Sequence, residues 1–538
     1  MKPEKGIKVL LIVGLALCML QLWLPAYYLT GDGPCHVYNA QVVHDIWAMC
    51  KHTGLFKSFY TLEYQPNPNW LSTIIIALLM YVVNGVVAEK IFLTVYVMLY
   101  VTGAVLLLKK MSGNYTYWML AVFLLVFPLT LSKGFYNFSF SIACYIWMVW
   151  SWLRLLEQKS VINAGLFLLF TTLIFFTHLL AFGMGAFTCA ALLVSYTVAV
   201  AEGDLSQKIK GYFLKNGLLL AVFLLPFLVL LRWFTEKEGG MQLSLRHHFY
   251  RVIELVQCKF MVNITHQEDI PALIAGIVLI LLFAWSFIKF KRFRPVNKFD
   301  GLIIALLFAS FLYLFFPESF LGRLILISMR MQPLILLLMV CCIAYVLPEG
   351  KVKNTGGLLL FTCFVWLSVA RISCQVTAGA AAKDILSATD HIRPYSVVLP
   401  LSFSRNGKDE HGKLIADRNF LFVHAADYLG VNKPLIMLDN YEANMGYFPL
   451  TWKEERNPYN HLSRENSDSL GIEGEPPSAD IVAYRQHSGV TIDYILLWCY
   501  DSSFLNKSKF RPLYDQIQAG YHITYTSSSK RTVLFEKN

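Results

Sequence analysis

The chain has 538 residues, of which 56% are hydrophobic and only 15% are charged, and its formal net charge is +11. Soluble domains carry about a quarter charged residues, so this composition excludes a soluble globular protein. Apolar runs long enough to cross a bilayer recur from residue 9 to residue 374, which predicts a polytopic α-helical membrane protein. The basic residues collect in short loops between these runs, as in cytoplasmic loops, so the positive charge does not indicate nucleic-acid binding.

The first apolar run, residues 9–29, follows an N-terminus that contains Lys2, Lys5 and Lys8. It is too long for the core of a signal peptide and precedes no small-residue cleavage site, so we expect it to be retained as the first span. The lysines predict a cytoplasmic N-terminus and place the long loop of residues 30–69 outside the cytoplasm.

A turn-forming segment, TGDGPCH at residues 30–36, opens this outer loop. Its glycines and its proline break a helix and would hold Asp32 on a tight turn at the membrane surface. Asp is also a common N-cap residue, and a helix is predicted to follow. The sequence therefore leaves two roles open for Asp32, a helix cap and a functional carboxylate.

Residues 37–52 have helical spacing, because Val37, Ala40, Val43 and Ile46 recur on one face. We predict an amphipathic helix that lies along the membrane surface. His36 precedes this helix, and His44 and Asp45 lie within it.

Eleven further apolar stretches follow, at residues 70–87, 90–108, 116–131, 137–153, 161–177, 179–200, 216–234, 270–289, 301–316, 324–347 and 356–374. The basic residues of segment 289–294 mark a cytoplasmic loop and place the chain after residue 374 outside. Twelve stretches conflict with this topology, which requires an odd number of crossings. Lys109 and Lys110 locate the mismatch between residues 60 and 110, where either one stretch is re-entrant or one crossing is missed. We expect about 11–13 transmembrane helices.

The chain becomes polar and charged after residue 375, and residues 376–538 are predicted to form an extracytoplasmic α/β domain. Within this domain, the patterns indicate buried strands at 395–401 and 493–498, a helix at 419–429, and a closing hairpin formed by 522–525 and 532–536.

Polar residues near the apolar runs fall mostly at the predicted outer ends: Asn137, His178, Glu318, Arg323 and Arg330. A charge inside a span is costly, so Arg330 is expected to face a cavity or a partner. Arg323 lies seven residues before it on the same helix face, and two guanidinium groups suit a phosphate. Two of these residues also have a plainer explanation. His178 could bind a backbone carbonyl at a helix break, and the Arg323 side chain could extend toward the membrane interface.

An outer carboxylate and a membrane-level anion site together fit glycosyl transfer from a polyprenyl-phosphate sugar. The carboxylate would be the general base for an acceptor hydroxyl, and the arginines would stabilise the departing phosphate. We therefore predict Asp32 as the catalytic residue. The predicted substrate-binding residues are His36, His44, Asp45, Asn137, His178, Glu318, Arg323 and Arg330.

The layout of residues 1–375 resembles the GT-C superfamily of glycosyltransferases, including the bacterial mannosyl- and aminoarabinosyl-type transferases. Asp32 lies where the family keeps its acid, residues 37–52 match the surface helix, and PNPNW at 66–70 matches the entry to the second span. The resemblance implies an inverting transferase with a polyprenyl-phosphate sugar as donor. The sequence contains no obvious eukaryotic targeting signal, which favours a bacterial inner membrane. The acceptor would be an extracytoplasmic glycan, lipid or protein.

No cofactor or metal site is predicted, because the 11 cysteines form no CxxC or metal-ligand spacing. The paired acids of some GT-C members are also absent, since Asp45 lies thirteen residues after Asp32. Two alternatives stay open: a transporter or flippase for a lipid-linked glycan, and a non-catalytic subunit for envelope polysaccharide assembly. The chain shows no inverted repeat of the kind that carriers often have, which favours the transferase.

Overall fold

The computed structural model describes residues 3–64, 67–200, 204–224, 248–289, 295–320, 324–431, 433–462, 479–501 and 510–538. The N-terminal elements are α1 (Pro3–Trp23), α2 (Gly33–Trp47), α3 (Thr53–Phe59) and strand β1 (Tyr60–Leu62). The bundle continues with α4 (Leu71–Leu79), α5 (Gly85–Ser112), α6 (Phe123–Val126), α7 (Leu129–Ser132), α8 (Tyr136–Glu157), α9 (Val161–Thr177), α10 (Leu179–Val200), α11 (Leu205–Lys208), α12 (Leu214–Gly217), α13 (His248–Val256), α14 (Asp269–Lys289), α15 (Gly301–Phe315), α16 (Ile327–Val346) and α17 (Lys351–Leu386). Two short strands, β2 (Ser319–Phe320) and β3 (Leu324–Ile325), connect α15 to α16.

The C-terminal region contains β4 (Val397–Ser402), β5 (Ile436–Met437), α18 (Glu442–Met445), β6 (Leu450–Trp452), α19 (Pro458–His461), α20 (Ile481–Ser488), β7 (Tyr494–Trp498), α21 (Arg511–Gly520), β8 (Tyr521–Thr526) and β9 (Thr532–Lys537).

Seven of the described helices are long and apolar enough to cross a membrane, namely α1, α5, α8, α10, α14, α16 and α17. Three shorter apolar segments, Tyr117–Ser132, α9 and α15, pack among them. The prediction of a polytopic helical membrane protein is confirmed. The expected total of spans stays a prediction, because the apolar stretch at 216–234 lies partly outside the described residues.

Helix α4 accounts for the topological mismatch between residues 60 and 110. With 9 residues it is about 14 Å long, against a hydrocarbon core of about 30 Å, so it cannot cross. Asn69, just before α4, lines the cavity that contains Asp32, and Asn84, just after it, lines a pocket with Val431 of the C-terminal region. Both ends of α4 therefore lie on the same side of the bundle, as in the re-entrant alternative.

Helix α2 is covered by protein on two sides. Val37, Tyr38 and Val42 belong to the core of the C-terminal domain, whereas Ala40 and Val43 belong to the core of the membrane bundle. The predicted helix is present and is packed between the bundle and the C-terminal domain, while its placement along the membrane surface stays a prediction. Its apolar face was visible in the sequence, whereas the domain that covers its other face is formed by residues more than 300 positions away.

The C-terminal domain is built on a five-stranded mixed sheet in the order β5-β4-β7-β9-β8. Strands β5, β4 and β7 are parallel, and β7, β9 and β8 are antiparallel. The predicted buried strands and the closing hairpin are confirmed as β4, β7 and the β8–β9 pair. Helix α17 has 36 residues and enters this domain without a break, and position 375 lies within it.

The predicted helix at 419–429 is wrong, because only Ala425–Gly430 forms a short 3-10 helix. Before it, Asn406 donates to the Asn419 carbonyl, and the Phe422 ring stacks on Trp498. These contacts hold the segment against the sheet in an irregular conformation. A short apolar run shows a similar hydrophobic pattern whether it forms a helix or an irregular segment packed on a sheet. Hydrophobic periodicity therefore could not distinguish these two conformations.

Candidate active site

Asp32 occupies the N-cap position of α2, yet its side chain does not cap the helix. The structure shows no hydrogen bond from the helix start to its carboxylate. The side chain instead lines a cavity between the bundle and the C-terminal domain, with a volume of about 270 Å³. Of the two roles that the sequence left open, capping is therefore not the one this geometry supports.

The turn that carries Asp32 docks against the loop between α7 and α8. The Gly31 and Asp32 amides donate to the carbonyls of Ser132 and Lys133, at 3.0 and 2.9 Å. A Cβ atom on Gly31 would lie 2.7 Å from the Lys133 carbonyl oxygen, so only glycine allows this approach. The backbone of Asp32 is thus fixed by two short contacts with another loop.

Gly134, in the loop before α8, packs directly against the backbone of the Asp32 turn. Its φ is +91°, and a Cβ atom there would lie 2.4 Å from the Asp32 amide nitrogen. We expect Gly134→Ala to displace the Asp32 turn and to lower the unfolding temperature. Gly113 is the matched control, because its φ of +81° is similar but nothing lies within 4 Å of its Cβ position. The backbone strain alone costs roughly 1–3 kcal/mol at either site.

Thermal unfolding in detergent should show a larger loss for Gly134→Ala than for Gly113→Ala. Equal losses would mean that the close approach to Asp32 contributes nothing beyond backbone strain.

A buried network supports the turn from behind. Thr30 Oγ1 accepts from the Gly33 amide at 3.1 Å and lies 3.1 Å from the Tyr136 hydroxyl. Tyr136 and Tyr428 each donate to one oxygen of Glu89, which is fully buried in α5. The network joins the turn, two membrane helices and the C-terminal domain, so the position of Asp32 depends on all three.

His36 is held between two oxygen atoms. Its Nε2 lies 2.9 Å from the Gly134 carbonyl oxygen, and its Nδ1 lies 2.7 Å from Oε1 of Glu442. Burial opposes a charge on this ring, but Glu442 and Asp32 outweigh burial and raise the pKa of His36. The geometry therefore favours an imidazolium ion close to Asp32.

Two further cations line the same cavity. Lys133 is next to the Asp32 turn, and burial lowers its pKa while Asp32 opposes that shift. The Arg330 guanidinium carbon lies 4.9 Å from the centre of the Phe135 ring and 5.9 Å from that of Phe138. The cavity thus combines a carboxylate with cationic groups. This combination suits an anionic ligand bound next to a hydroxyl group that reacts with it.

Burial raises the pKa of Asp32, and Glu442 adds to this effect, while His424 and His36 oppose it. A carboxylate with a raised pKa is a stronger base than an exposed one. The position of Asp32 therefore suits proton abstraction from a bound hydroxyl.

Asn137 and His178 also line the cavity. Asn137 accepts from the Ser72 amide at 2.9 Å and donates to the Asn69 carbonyl at 2.8 Å, so it ties α4 to α8. His178 Nδ1 accepts from the Leu180 amide at 3.2 Å. Burial, with a further effect of Arg330, lowers the pKa of His178 well below its usual value, so the ring is a neutral imidazole.

His44 and Asp45 lie elsewhere on α2. Asp45 is buried and is contacted by Gln41, His44 and His52 at 2.7–2.9 Å. It lines a separate pocket with His52 and Lys433. The structure does not bring these two residues into the Asp32 cavity.

Glu318 also lies outside the cavity lining. It pairs with Arg251 at 2.8 Å and accepts from the Ser328 amide at 3.2 Å, so it holds the start of α16, which carries Arg330. Arg323 lies outside the described residues. The prediction that it shares a helix face with Arg330 is wrong, because α16 begins only at Ile327 and strand β3 precedes it. Of the predicted site residues, the cavity brings together Asp32, His36, Asn137, His178 and Arg330.

Several cavity residues were missing from the sequence analysis: Lys133, Asn419, His424, Tyr441 and Tyr447. Lys133 had a detectable signal, since it is a lone cation in a short loop beside Asn137 that the topology places outside. The other four come from the C-terminal domain, and no pattern within that domain connects them to residue 32.

The sequence matches no known family model and no curated protein sequence. The structure is similar to the apo crystal structure of ArnT from Cupriavidus metallidurans, with a TM-score of 0.54 and 10% identity over 99% of this chain and 97% of that chain. ArnT from the same organism bound to undecaprenyl phosphate also gives 0.54 and 10%, over 99% and 98%. The arabinofuranosyltransferase AftD from Mycobacteria gives 0.47 and 10%, over 98% of this chain and 41% of that chain. At this identity the ArnT similarity establishes the fold and not the reaction. The chain is a multi-pass membrane protein with the GT-C fold that the sequence predicts and with a C-terminal α/β domain.

Proposed function

We propose that this protein transfers a sugar from a polyprenyl-phosphate donor to an acceptor hydroxyl in the Asp32 cavity. The observation that carries the proposal is the non-capping Asp32 carboxylate, which shares one cavity with Lys133 and Arg330. ArnT, which has the same fold, has been captured with undecaprenyl phosphate. That complex supports a polyprenyl phosphate as the lipid part of the donor.

In the proposed reaction, Asp32 removes the proton of the acceptor hydroxyl as its oxygen bonds to the anomeric carbon of the sugar. The bond between this carbon and the phosphate oxygen breaks, and polyprenyl phosphate leaves with the electron pair. Arg330 and Lys133 stabilise the negative charge on the departing phosphate. A single displacement of this kind inverts the anomeric configuration.

The proposed substrate contacts are limited to residues that line the cavity. His36 sets the charge beside Asp32, while the neutral His178 and the amide of Asn137 offer polar groups to the sugar. Glu318 acts through Arg330 by holding the start of α16.

We further propose that the cavity and the C-terminal domain face the periplasm of a bacterium, with the N-terminus in the cytoplasm, as the basic loops indicate. Ser528 is exposed at the tip of the β8–β9 hairpin, and Lys351 is exposed at the opposite end of α17 from the domain. In intact spheroplasts, Ser528→Cys should gain labelling by an impermeant maleimide over the parent chain, whereas Lys351→Cys should label only after lysis. The reverse result would contradict this orientation.

The proposed function is tested with purified protein in detergent, a radiolabelled polyprenyl-phosphate sugar and an extract of acceptor lipids and glycans. Transfer should release polyprenyl phosphate and move the label to an acceptor. This assay also separates the transferase from a flippase, because no membrane is available to cross. Flipping of the donor in proteoliposomes without any sugar transfer would favour the carrier instead.

A further inference from the structure

Three side chains of the C-terminal domain converge behind the wall of the Asp32 cavity. His424 precedes the 3-10 helix Ala425–Gly430, Asp427 lies within it, and Asp439 follows β5. One ligand atom from each of the three lies within 4.8 Å of the others, and His424 Nδ1 is 3.9 Å from Oδ2 of Asp439. The cluster is formed by residues far from Asp32 in sequence.

All three side chains are almost fully buried, with exposed fractions of 3% for His424, 0% for Asp427 and 7% for Asp439. Among the residues that the structure describes, none donates a hydrogen bond of good geometry to His424 Nδ1, to either carboxylate oxygen of Asp427 or to Oδ1 of Asp439. The Asp427 carboxyl group lies against the Asp439 carboxyl group and the Cys35 thiol. Two adjacent buried carboxyl groups without partners are costly unless a cation or a proton compensates them. The cluster therefore needs either a bound cation or a proton shared between the two carboxyl groups.

A second cluster provides the contrast. Asp45, Cys50 and His52 also lie close enough together to ligate a cation. Both Asp45 oxygens, however, already have protein partners, from Gln41 and Cys50 on one and His52 on the other. That cluster is satisfied by its own hydrogen bonds, so close packing of such residues does not by itself indicate an ion.

Space for an ion exists beside the first cluster. His424 and Asp439 line a small cavity of about 30 Å³, together with Ser402, Arg405 and Trp498. A cavity needs roughly 10–15 Å³ to hold one water molecule, so this one can admit an ion or an ion with a water. One imidazole and two carboxylates form a donor set that Zn²⁺ or Mn²⁺ accepts.

We propose that His424, Asp427 and Asp439 bind one divalent transition-metal ion of the Zn²⁺ or Mn²⁺ type. The His424 ring stacks on Tyr441, with centroids 4.7 Å apart, and both residues line the Asp32 cavity. Ligation would fix this ring in the cavity wall and place positive charge behind it, on the side of Asp32. The site is a property of the C-terminal domain and does not depend on the transfer reaction.

The test uses full-length protein purified without a histidine tag and treated with a chelator. Isothermal titration with ZnCl₂, and separately with MnCl₂, should show one more bound ion per chain in the wild type than in Asp427→Asn. The ion should also raise the unfolding temperature of the wild type and leave that of Asp427→Asn unchanged. Asp439→Asn is the second variant if Asp427→Asn does not fold, and Asp45→Asn should keep the wild-type stoichiometry.

The competing occupant is a proton shared by the two carboxyl groups. In that case the wild type would bind neither metal beyond the level of Asp427→Asn, and no thermal response would separate the two proteins. Equal stoichiometry in the wild type and in Asp427→Asn, for both metals, would overturn the proposal. Neither readout requires sugar transfer, so a failed transfer assay leaves this test intact.

Discussion

Replacing Asp32 with asparagine is expected to reduce sugar transfer about a hundred- to ten-thousand-fold, which is the usual contribution of a general base. Asparagine has nearly the same shape but cannot accept the proton of the acceptor hydroxyl. Because the Asp32 carboxylate makes no capping hydrogen bond, the substitution removes no support from α2. Expression and the unfolding temperature should therefore stay close to those of the wild type.

The measurement is the initial rate of transfer at saturating donor, with donor binding measured in parallel. Asp515→Asn is the matched control, because this carboxylate is exposed and, within the described part of the chain, pairs only with Arg511 on α21. Near-normal transfer by Asp32→Asn, in protein that binds the donor normally, would exclude Asp32 as the base.

Arg330→Ala is expected to have the second largest effect, a loss of about a hundred- to a thousand-fold in transfer, because it removes a charged group from the departing phosphate. The transfer rate of Arg330→Lys should lie between the rates of Arg330→Ala and the wild type, since lysine keeps the charge but loses the planar guanidinium group. Affinity for the donor should be highest in the wild type, lower in Arg330→Lys and lowest in Arg330→Ala.

Arg330 also stacks over Phe135 and Phe138, so the substitution could act on stability, where such contacts contribute roughly 0.5–2 kcal/mol. Unfolding temperatures of both variants separate the two effects. Arg511→Ala is the control for loss of an exposed arginine. Unchanged donor binding and transfer in folded Arg330→Ala would remove this residue from the proposed site.

The parts of the fold that the sequence predicted are those with local causes. Strands β4 and β7 are short apolar runs bounded by polar residues, and the β8–β9 hairpin surrounds a serine turn. Asp32 could be singled out because glycines and a proline surround it directly after an apolar run. In each case the deciding residues lie within one segment of the chain.

The parts that could not be predicted depend on contacts between distant segments. Glu442 reaches His36 and Asn39 on α2 across some 400 residues. Glu89 lies between two of the predicted apolar stretches, and it accepts hydrogen bonds from Tyr136 and Tyr428. Such pairs leave no periodicity in the sequence, so the covered position of α2 and the part of the cavity wall that the C-terminal domain contributes appear only in the structure.

The most direct test of the account asks whether the donor occupies the Asp32 cavity. Phe420 lines this cavity and is 42% exposed, whereas Phe311 on α15 is 54% exposed and does not line it. A photoreactive phenylalanine analogue at each position, irradiated with a radiolabelled polyprenyl-phosphate sugar, should cross-link the donor at 420 and not at 311. Excess unlabelled polyprenyl phosphate should abolish the cross-link at 420. Labelling at 311 alone, or equal labelling that unlabelled lipid does not reduce, would contradict the placement of the donor and the mechanism built on it.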